Sequence, residues 1–434
     1  MVGLGTSGVA ASTWLAGHGA TVYASDAAAT PALESSASRL RGLGVHVDLG
    51  RHDLARVKRA RAVVVSPGVP PSAAPIVAAR NAGVDVVAEL DLGARLLEDV
   101  GLVAVTGTNG KTTTTLLVAH LLNTAGVRTE TAGNIGRPLT ELATAMTRPV
   151  WIAAEVSSFQ LHDAPHLAPA IGILTNLAPD HLDRYPDLQS YYEDKRLLFR
   201  NATASSVWVL NGDDTAVLGL ARGVAGLHRH WSLVRPSDAW YDRGADYLVL
   251  DEETVVPRGR LRLLGDHNVA NALAAALAVR AAGVASRAVA AGLETFAAPP
   301  HRLEPVGTVD GVQWINDSKA TNVAATAVAL RAMIRPYVLI LGGRPKGERF
   351  DVLEPGTRCR GVVAYGEAAD RIFEELGPAV PVQVVEGFDA AVARARDLAT
   401  PGDAVLLSPA CASFDQFGGF AERGQRFRQL AEVG

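Results

Sequence analysis

Residues 102–114 read L-V-A-V-T-G-T-N-G-K-T-T-T, and this stretch constrains the chain more than any other. An apolar run, Leu102 to Val105, has the form of a buried parallel strand. A glycine-rich turn follows it. From Thr112 to Ala125 the residues suit a helix, with Leu116, Leu117, His120 and Leu121 at helical spacing. Strand, glycine turn, Lys-Thr and helix together make a phosphate cradle. Glycines let backbone N–H groups come close to an anion, and a helix N-terminus adds partial positive charge. Gly107, Thr108, Asn109, Gly110, Lys111, Thr112 and Thr113 are therefore the expected nucleotide contacts. Lys111 is expected at the β- and γ-phosphates and Thr112 on Mg²⁺. The general phosphate-loop pattern has a glycine five positions before Gly110, where this chain has Val105. The Lys-Thr pair at the helix start is what separates the stretch from a plain connecting turn.

The rest of the chain has room for two or three domains in its 434 residues, and nearly half of them are apolar. Its formal net charge of −4 and dispersed Lys and Arg argue against general nucleic-acid binding. No apolar run is long enough for a transmembrane helix, and the N-terminus lacks the pattern of a signal peptide. Cys359 and Cys411 are far apart and form no C-x-x-C motif. A cytoplasmic protein with reduced thiols is expected.

Residues 1–89 read as a first domain. Gly3-Leu4-Gly5-Thr6-Ser7-Gly8 is a G-x-G-x-x-G turn, followed by a helical stretch and a strand ending at Asp26. Dinucleotide binding and tight helix–strand packing explain that turn equally well. Ala62 to Val65 forms another strand and runs into Ser66-Pro67-Gly68-Val69-Pro70. Only Met1 and Val2 precede the glycine turn, where a strand of about five residues is usual. A native start upstream of Met1 is the expectation.

Residues 90–299 read as a second domain. Thr131 to Gly136 looks like a polar glycine turn. Val150 to Ser158 and Ile171 to Asn176 look like strands, with Glu155 near one end and Asp180-His181 after the other. Parallel strand ends share one sheet edge, so Glu155 and His181 are candidate metal ligands beside the phosphate loop. Tyr191 to Leu198 reads as a helix, on which Lys195 is by general rules a solvated lysine. Residues 215–260 suggest short strands without a clear pattern. An alanine-rich helix begins near Asp266 and carries Asn268 and Asn271 on one face.

Residues 300–434 read as a third domain after the Pro299-Pro300-His301-Arg302 linker. Strands are expected at Trp314, Val338 to Leu341, Val362 to Ala364 and Ala404 to Leu407, alternating with helices. Arg302, Lys319, Lys346 and Ser413 lie at strand ends, and as a set they suit an anionic substrate. The fold class is thus α/β in three domains. A Rossmann-like domain comes first, a phosphate-loop ATPase-type domain with a parallel sheet is central, and a second Rossmann-like domain ends the chain.

T-G-T-N-G-K-T, G-N-I-G, E-V-S-S-F-Q-L, D-H-L-D-R-Y, H-N-V-A-N-A, P-H-R and N-D-S-K-A-T-N occur in the order found in the Mur ligases. The chain resembles that family over essentially its whole length. The run L-S-P-A-C-A-S-F-D-Q-F is similar to the members that add D-glutamate. The resemblance implies an ATP- and Mg²⁺-dependent amide ligase of peptidoglycan synthesis, with UDP-N-acetylmuramoyl-L-alanine and D-glutamate as substrates and a monomer as the working form. It implies that Glu155 and His181 hold metal and that Lys195 is carbamylated to help them. Lys111, His181 and Lys195 are then the catalytic set. It also implies Asn134 at the muramoyl-alanine site and Asn268 and Asn271 on the adenine side. Arg302 and Asp317 would contact ATP. Lys319, Thr321, Lys346, Ser413 and Phe420 would form the D-glutamate pocket, and Ser7 and Gly68 lie in loops that bind UDP. Where many relatives carry a hydroxyl and an arginine after the acid of the second strand, this chain has Ala27-Ala28. Other readings are a different amino-acid ligase of the superfamily, a phosphate-loop regulatory ATPase, and a nicotinamide dehydrogenase.

Overall fold

A computed structural model describes residues 1–180 and 185–432. They fall into two compact units. One holds Met1–Arg260 with Ala270–Glu294, the other Leu261–Val269 with Thr295–Gly434.

In the first unit the N-terminal segment carries β1 (Tyr23–Asp26), β2 (His46–Leu49), β3 (Ala62–Val65) and β4 (Asp85–Ala88). β1 pairs with β2 and β3 with β4, both parallel. Val2 bridges the two pairs, facing Ser25 on one side and Val65 on the other. Backbone bonds from Val2 N to the Val64 carbonyl and from Gly3 N to the Ser25 carbonyl, each 2.9 Å, hold it there. Two residues thus stand in the central position of this sheet. The glycine turn then enters the helix Thr6–Gly17. A Cβ at Gly8 would meet the Gly3 carbonyl at 1.9 Å, so close helix-to-turn packing is one job of this motif.

The same unit contains a nine-stranded sheet: β5 (Gly101–Thr106), β6 (Thr129–Gly133), β7 (Trp151–Glu155), β8 (Ile171–Leu174), β9 (Val207–Asn211), β10 (Leu227–Ser232), β11 (Ala239–Asp242), β12 (Tyr247–Leu250) and β13 (Glu253–Pro257). Their order is β13-β12-β11-β10-β9-β8-β5-β7-β6. β6 to β11 along this order pair in parallel, while β11–β12 and β12–β13 are antiparallel. β5 lies between β7 and β8, so the ends of those two strands flank the phosphate loop. Parallel strands covered on both faces become apolar throughout, and β5, β7 and β8 are almost wholly buried.

The structure revises the sequence reading in two places here. Thr131 to Gly133 ends β6, and the turn begins only at Gly133. Residues 215–260 form the helix Thr215–Ala221 and the four regular strands β10 to β13. Their pattern is hidden because β10 carries His228-Arg229-His230 at half-buried positions, where Arg229 pairs with Asp238 and Asp251.

The second unit is built on β14 (Glu304–Val309), β15 (Val312–Asn316), β16 (Tyr337–Gly342), β17 (Cys359–Tyr365), β18 (Val382–Val384) and β19 (Ala404–Leu407), in the order β14-β15-β19-β16-β17-β18. All neighbours are parallel except β14 and β15. Asn316-Asp317, Gly342-Gly343 and Ser408 therefore come to one edge. Two apolar layers cover the sheet, one around Leu339, Phe350 and Ile372 and the other around Trp314, Phe388 and Phe427.

In β8, Gly172 lies against the buried ring of Trp208, and a Cβ there would approach it to 2.4 Å. Gly172→Ala should destabilise the protein by about 1–3 kcal/mol through overpacking. A lower melting temperature with altered Trp fluorescence would confirm it; an unchanged melting curve would contradict this packing.

Candidate active site

At the end of β5 the chain turns through Gly107 at φ +141° and Gly110 at φ +83°, both in the region that favours glycine. A Cβ at Gly107 would stand 2.0 Å from Thr175 Oγ1, and one at Gly110 would stand 2.3 Å from Asn271 Oδ1. Gly110 is the N-cap of the 14-residue helix Lys111–Thr124. Its first amides and its dipole make this end suited to phosphate.

The residues just past β8 hold the loop in shape. Thr108 N donates to the Asn176 carbonyl and Asn109 N to Asn176 Oδ1, each at 2.9 Å. Thr175 Oγ1 and Asn176 Nδ2 donate back to the Asn109 carbonyl. Thr108 Oγ1 accepts from Ala178 N and lies 3.3 Å from the Tyr191 hydroxyl. Thr175, Asn176 and Tyr191 are thus supporting residues that sequence reasoning missed. The available signal was a polar Thr-Asn pair ending a strand next to a phosphate loop. Thr113 is buried in the first turn of the helix.

Lys111 Nζ donates to the carbonyls of Gly107 at 2.9 Å and Thr108 at 2.8 Å. Lys195, on the helix Leu188–Arg196, also reaches the Gly107 carbonyl, at 2.8 Å, and lies over the Tyr191 ring. It is 1% exposed. The general reading of Lys195 as a solvated surface lysine is therefore wrong. Amphipathic periodicity cannot show that this face of the helix meets the phosphate loop rather than water. Burial, and next the Lys111 charge, hold its pKa well below the usual lysine value.

Glu155 ends β7 and is 3% exposed. Its Oε2 accepts from Thr112 Oγ1 at 2.6 Å and its Oε1 from Asn134 Nδ2 at 2.8 Å. Among the described residues no Lys or Arg pairs with this carboxylate. A buried anion beside a hydroxyl, without a cationic partner, is an all-oxygen set that fits a hard cation such as Mg²⁺. His181, the other candidate metal ligand, lies outside the described residues.

Beside this cluster is a cavity of about 650 Å³ lined by both glycine turns. Ser7, Gly68 and Asn134 all line it, with Asp26, Ala27, His52 and Ile135. Asp26 accepts backbone N–H groups from Leu4 at 2.8 Å and Ala28 at 2.9 Å, so its carboxylate braces the glycine turn.

Asn268 and Asn271, on the helix Asp266–Ala281, are both buried. Asn271 Oδ1 accepts from Thr114 Oγ1 and packs on Gly110. Asn268 Nδ2 donates to the Leu264 carbonyl.

In the second unit Lys319 Nζ sits 3.9 Å from the centre of the Phe420 ring, a cation–π pair. Lys346 Nζ donates to Thr321 Oγ1 at 3.2 Å. Ser413 is buried just beyond β19. Asp317 is buried, accepting from Leu303 N and Ser408 Oγ. Burial pushes its carboxyl up to about 7, against the opposing pull of those two donors and of Arg302. Sequence reasoning missed Arg423. Its buried guanidinium donates to Ser318 Oγ, the Ser318 carbonyl and the Cys411 carbonyl, tying together the segments after β15 and β19. An arginine with carbonyl rather than acidic partners leaves no pairing signal in sequence.

Three family patterns match this chain: "Mur ligase MurD-like, N-terminal domain" over residues 1–88, "Mur ligase middle domain" over 105–279, and "Mur ligase, glutamate ligase domain" over 301–411. The chain is 43% identical over 450 residues to the UDP-N-acetylmuramoylalanine–D-glutamate ligase of Myxococcus xanthus, covering 99% of this chain and 97% of that one. This chain belongs to the Mur ligase family. A second relative of the same name, from Gloeobacter violaceus, is 43% identical over 437 residues, covering 99% and 98% of the two chains. Among solved structures, the UDP-N-acetylmuramate-alanine ligase of Thermotoga maritima superposes with a TM-score of 0.64 at 20% identity, over 99% of this chain and 98% of that one. A pseudomurein peptide ligase of Methanothermus fervidus gives 0.60 at 19%, over 99% and 98%. The likeness to these two structures is one of fold. The three-domain α/β organisation of a Mur ligase is therefore established for this chain.

In this Mur ligase the phosphate loop tolerates no side chain at Gly110. Gly110→Ala should weaken ATP binding at least about 10-fold, because the loop must abandon a left-handed conformation and displace Asn271. Calorimetric titration with ATP tests this, and wild-type affinity would show that the loop shape does not depend on Gly110.

Proposed function

We propose that this Mur ligase adds D-glutamate to UDP-N-acetylmuramoyl-L-alanine with hydrolysis of ATP, a cytoplasmic step of peptidoglycan synthesis carried out by a monomer. The near full-length likeness to ligases named for that reaction carries the reading. Supporting it, the phosphate loop, the Thr112–Glu155–Asn134 cluster and the cavity adjoin within one unit. In this assignment residues 1–89 bind the UDP moiety through Ser7 and Gly68, and residues 90–299 bind ATP. Residues 300–434 bind the amino acid through Lys319, Thr321, Lys346, Ser413 and Phe420. Arg302 and Asp317 contact ATP, as do Asn268 and Asn271 on the adenine side.

A carboxylate is a poor electrophile and must first be activated. The alanyl carboxylate attacks the γ-phosphorus, an acyl phosphate forms and ADP leaves. The D-glutamate amine then attacks the acyl carbon and phosphate departs. Lys111 exchanges its loop carbonyls for phosphate oxygens and neutralises charge on the group in flight. Asn134 orients the muramoyl-alanine end. Thr112 and Glu155 would hold Mg²⁺, with His181 and carbamylated Lys195 completing the set. The cation supplies electrostatic stabilisation of the transferring phosphoryl group.

Phosphate release with UDP-N-acetylmuramoyl-L-alanine and a panel of amino acids tests the reading. D-glutamate alone should support turnover; preference for lysine or diaminopimelate would replace it with another ligase, and amino-acid-independent hydrolysis with an ATPase. Lys346→Ala and Ser413→Ala should raise KM for D-glutamate at least about 10-fold more than KM for ATP. Equal movement of both constants would remove these residues from the amino-acid pocket.

Carbamylation requires a neutral amine, which adds CO₂ and releases a proton. The burial that depresses the Lys195 pKa favours that form. Lys195→Ala should lose most activity, and acetate should restore part of it by supplying a carboxylate in the vacated space. Lys195→Arg should not respond, because its bulk and charge remain. Activity measured against added acetate, with chloride as control, decides; a fully active alanine variant would leave Lys195 without this role.

A further inference from the structure

The helix that presents Lys195 carries a carboxylate one residue earlier. Asp194 uses both of its oxygens on other segments of the chain. Its Oδ1 accepts from His162 Nδ1 at 2.8 Å and its Oδ2 from the Tyr185 hydroxyl at 2.8 Å. His162 ends the five-residue helix Ser158–His162, which follows closely on Glu155 at the end of β7. Tyr185 lies in the segment that leads from β8 to the helix Leu188–Arg196. One side chain thus ties the segments after β7 and β8 to the helix of Lys195.

Both anchors are themselves held in place. Ser157 and Gln160 form a capping box on the five-residue helix. Just beyond it Asp163 pairs with Arg80 at 2.6 Å, and its carbonyl accepts from Ala88 N. The Tyr185 ring stacks on Phe159 with centroids 5.3 Å apart and planes at 13°. It also meets the Tyr191 ring, at 5.3 Å and 59°. Tyr191 in turn lies 4.6 Å from Lys195 Nζ, with its hydroxyl 3.3 Å from Thr108 Oγ1 in the phosphate loop. A carboxylate only accepts, so His162 donates from Nδ1 whether its ring is neutral or protonated. The His162 side chain is 47% exposed, and an ion pair so open to water adds little stability. What two bonds in different directions supply is orientation.

Successive residues of a helix point about 100° apart. Fixing Asp194 therefore fixes the rotation of the helix that aims Lys195 at the Gly107 carbonyl, where Nζ donates at 2.8 Å. We propose that Asp194 is a positioning residue for the ligase reaction: held by His162 and Tyr185, it sets where Lys195 stands beside the phosphate loop. This deepens the proposed function and rests on its assignment of Lys195 to the chemistry. A displacement of about 1 Å in a group that serves the reacting atoms costs about 100-fold in rate, which sets the scale of the effect.

The experiment measures kcat, KM for D-glutamate, ATP affinity by calorimetry and melting temperature on the full chain, as wild type, Asp194→Ala, Asp194→Asn and Tyr185→Phe. Asp194→Ala should lower kcat about 100-fold. Asp194→Asn offers one acceptor oxygen instead of two, and Tyr185→Phe keeps the ring but loses the hydroxyl, so each should lower kcat about 10-fold. KM and ATP affinity should stay within about twofold of wild type, because Thr175 and Asn176 hold the phosphate loop independently. In Lys195→Ala protein assayed with acetate, Asp194→Ala should cost less than about twofold more, since a residue that acts through another adds nothing once that other is gone. Wild-type kcat in Asp194→Ala, an equal loss in both backgrounds, or ATP affinity that falls with kcat would overturn the role of Asp194 while leaving the ligase reading in place. Should the Asp194 variants melt below the assay temperature, Tyr185→Phe decides: unchanged kcat there overturns the role. A fully active Lys195→Ala protein, or wild type without turnover of D-glutamate, would overturn the proposed function in that respect, and this role with it.

Discussion

Two lysine side chains meet at one backbone carbonyl, that of Gly107. Lys111 comes from the helix that follows the loop and Lys195 from a helix 88 residues away in sequence. Bringing a second ammonium into a buried cradle is unfavourable unless it is neutralised, modified or met by an anion. Burial favours the neutral amine at Lys195, and the rest of the first unit holds the cradle in shape. β8 supplies Thr175 and Asn176 to fix the loop, and β7 supplies Glu155 beside Thr112. An anionic ligand at the helix N-terminus is the natural relief of that electrostatic tension.

The loop shows how steric and electrostatic demands coincide. Gly107 and Gly110 are glycines for two reasons at once: their backbone conformations are left-handed, and neighbouring side chains occupy the space of a Cβ. Those neighbours, Thr175 and Asn271, come from distant segments of the chain. The loop is therefore a folded object in its own right rather than a flexible turn that a nucleotide must organise, and binding loses less conformational entropy as a result.

The second unit meets a different problem in a related way. Its strands end in polar segments that must hold position at the sheet edge. Arg423 satisfies the Ser318 and Cys411 carbonyls from inside, and Asp317 closes on Leu303 and Ser408. Lys319 and Lys346 remain at the same edge, one over Phe420 and the other on Thr321. The buried arginine costs desolvation, which five donors in fixed geometry can offset only when several acceptors are already in place.

Much of this was legible in sequence, and the reason is local. Apolar runs bounded by glycine or polar residues identify β5, β8, β16 and β19 because strands buried on both faces need no partner to look apolar. Gly107, Gly110, Lys111 and Thr112 declare a phosphate loop because that chemistry depends on consecutive residues. Glu155 was legible as a carboxylate at a strand end. What tertiary structure alone decided concerns partners far apart in the chain. β10 to β13 were obscured because their polar residues find acidic partners across the sheet, as Arg229 does with Asp251. Lys195 looked solvated because helical spacing does not say what covers a face. Thr175, Asn176 and Arg423 bond mainly to backbone groups, and a carbonyl acceptor leaves no trace in residue identity. Sequence determines which groups a segment can offer. Only the packing of distant segments determines which of those groups are desolvated, paired and aimed, because desolvation and pairing depend on what lies within a few ångströms.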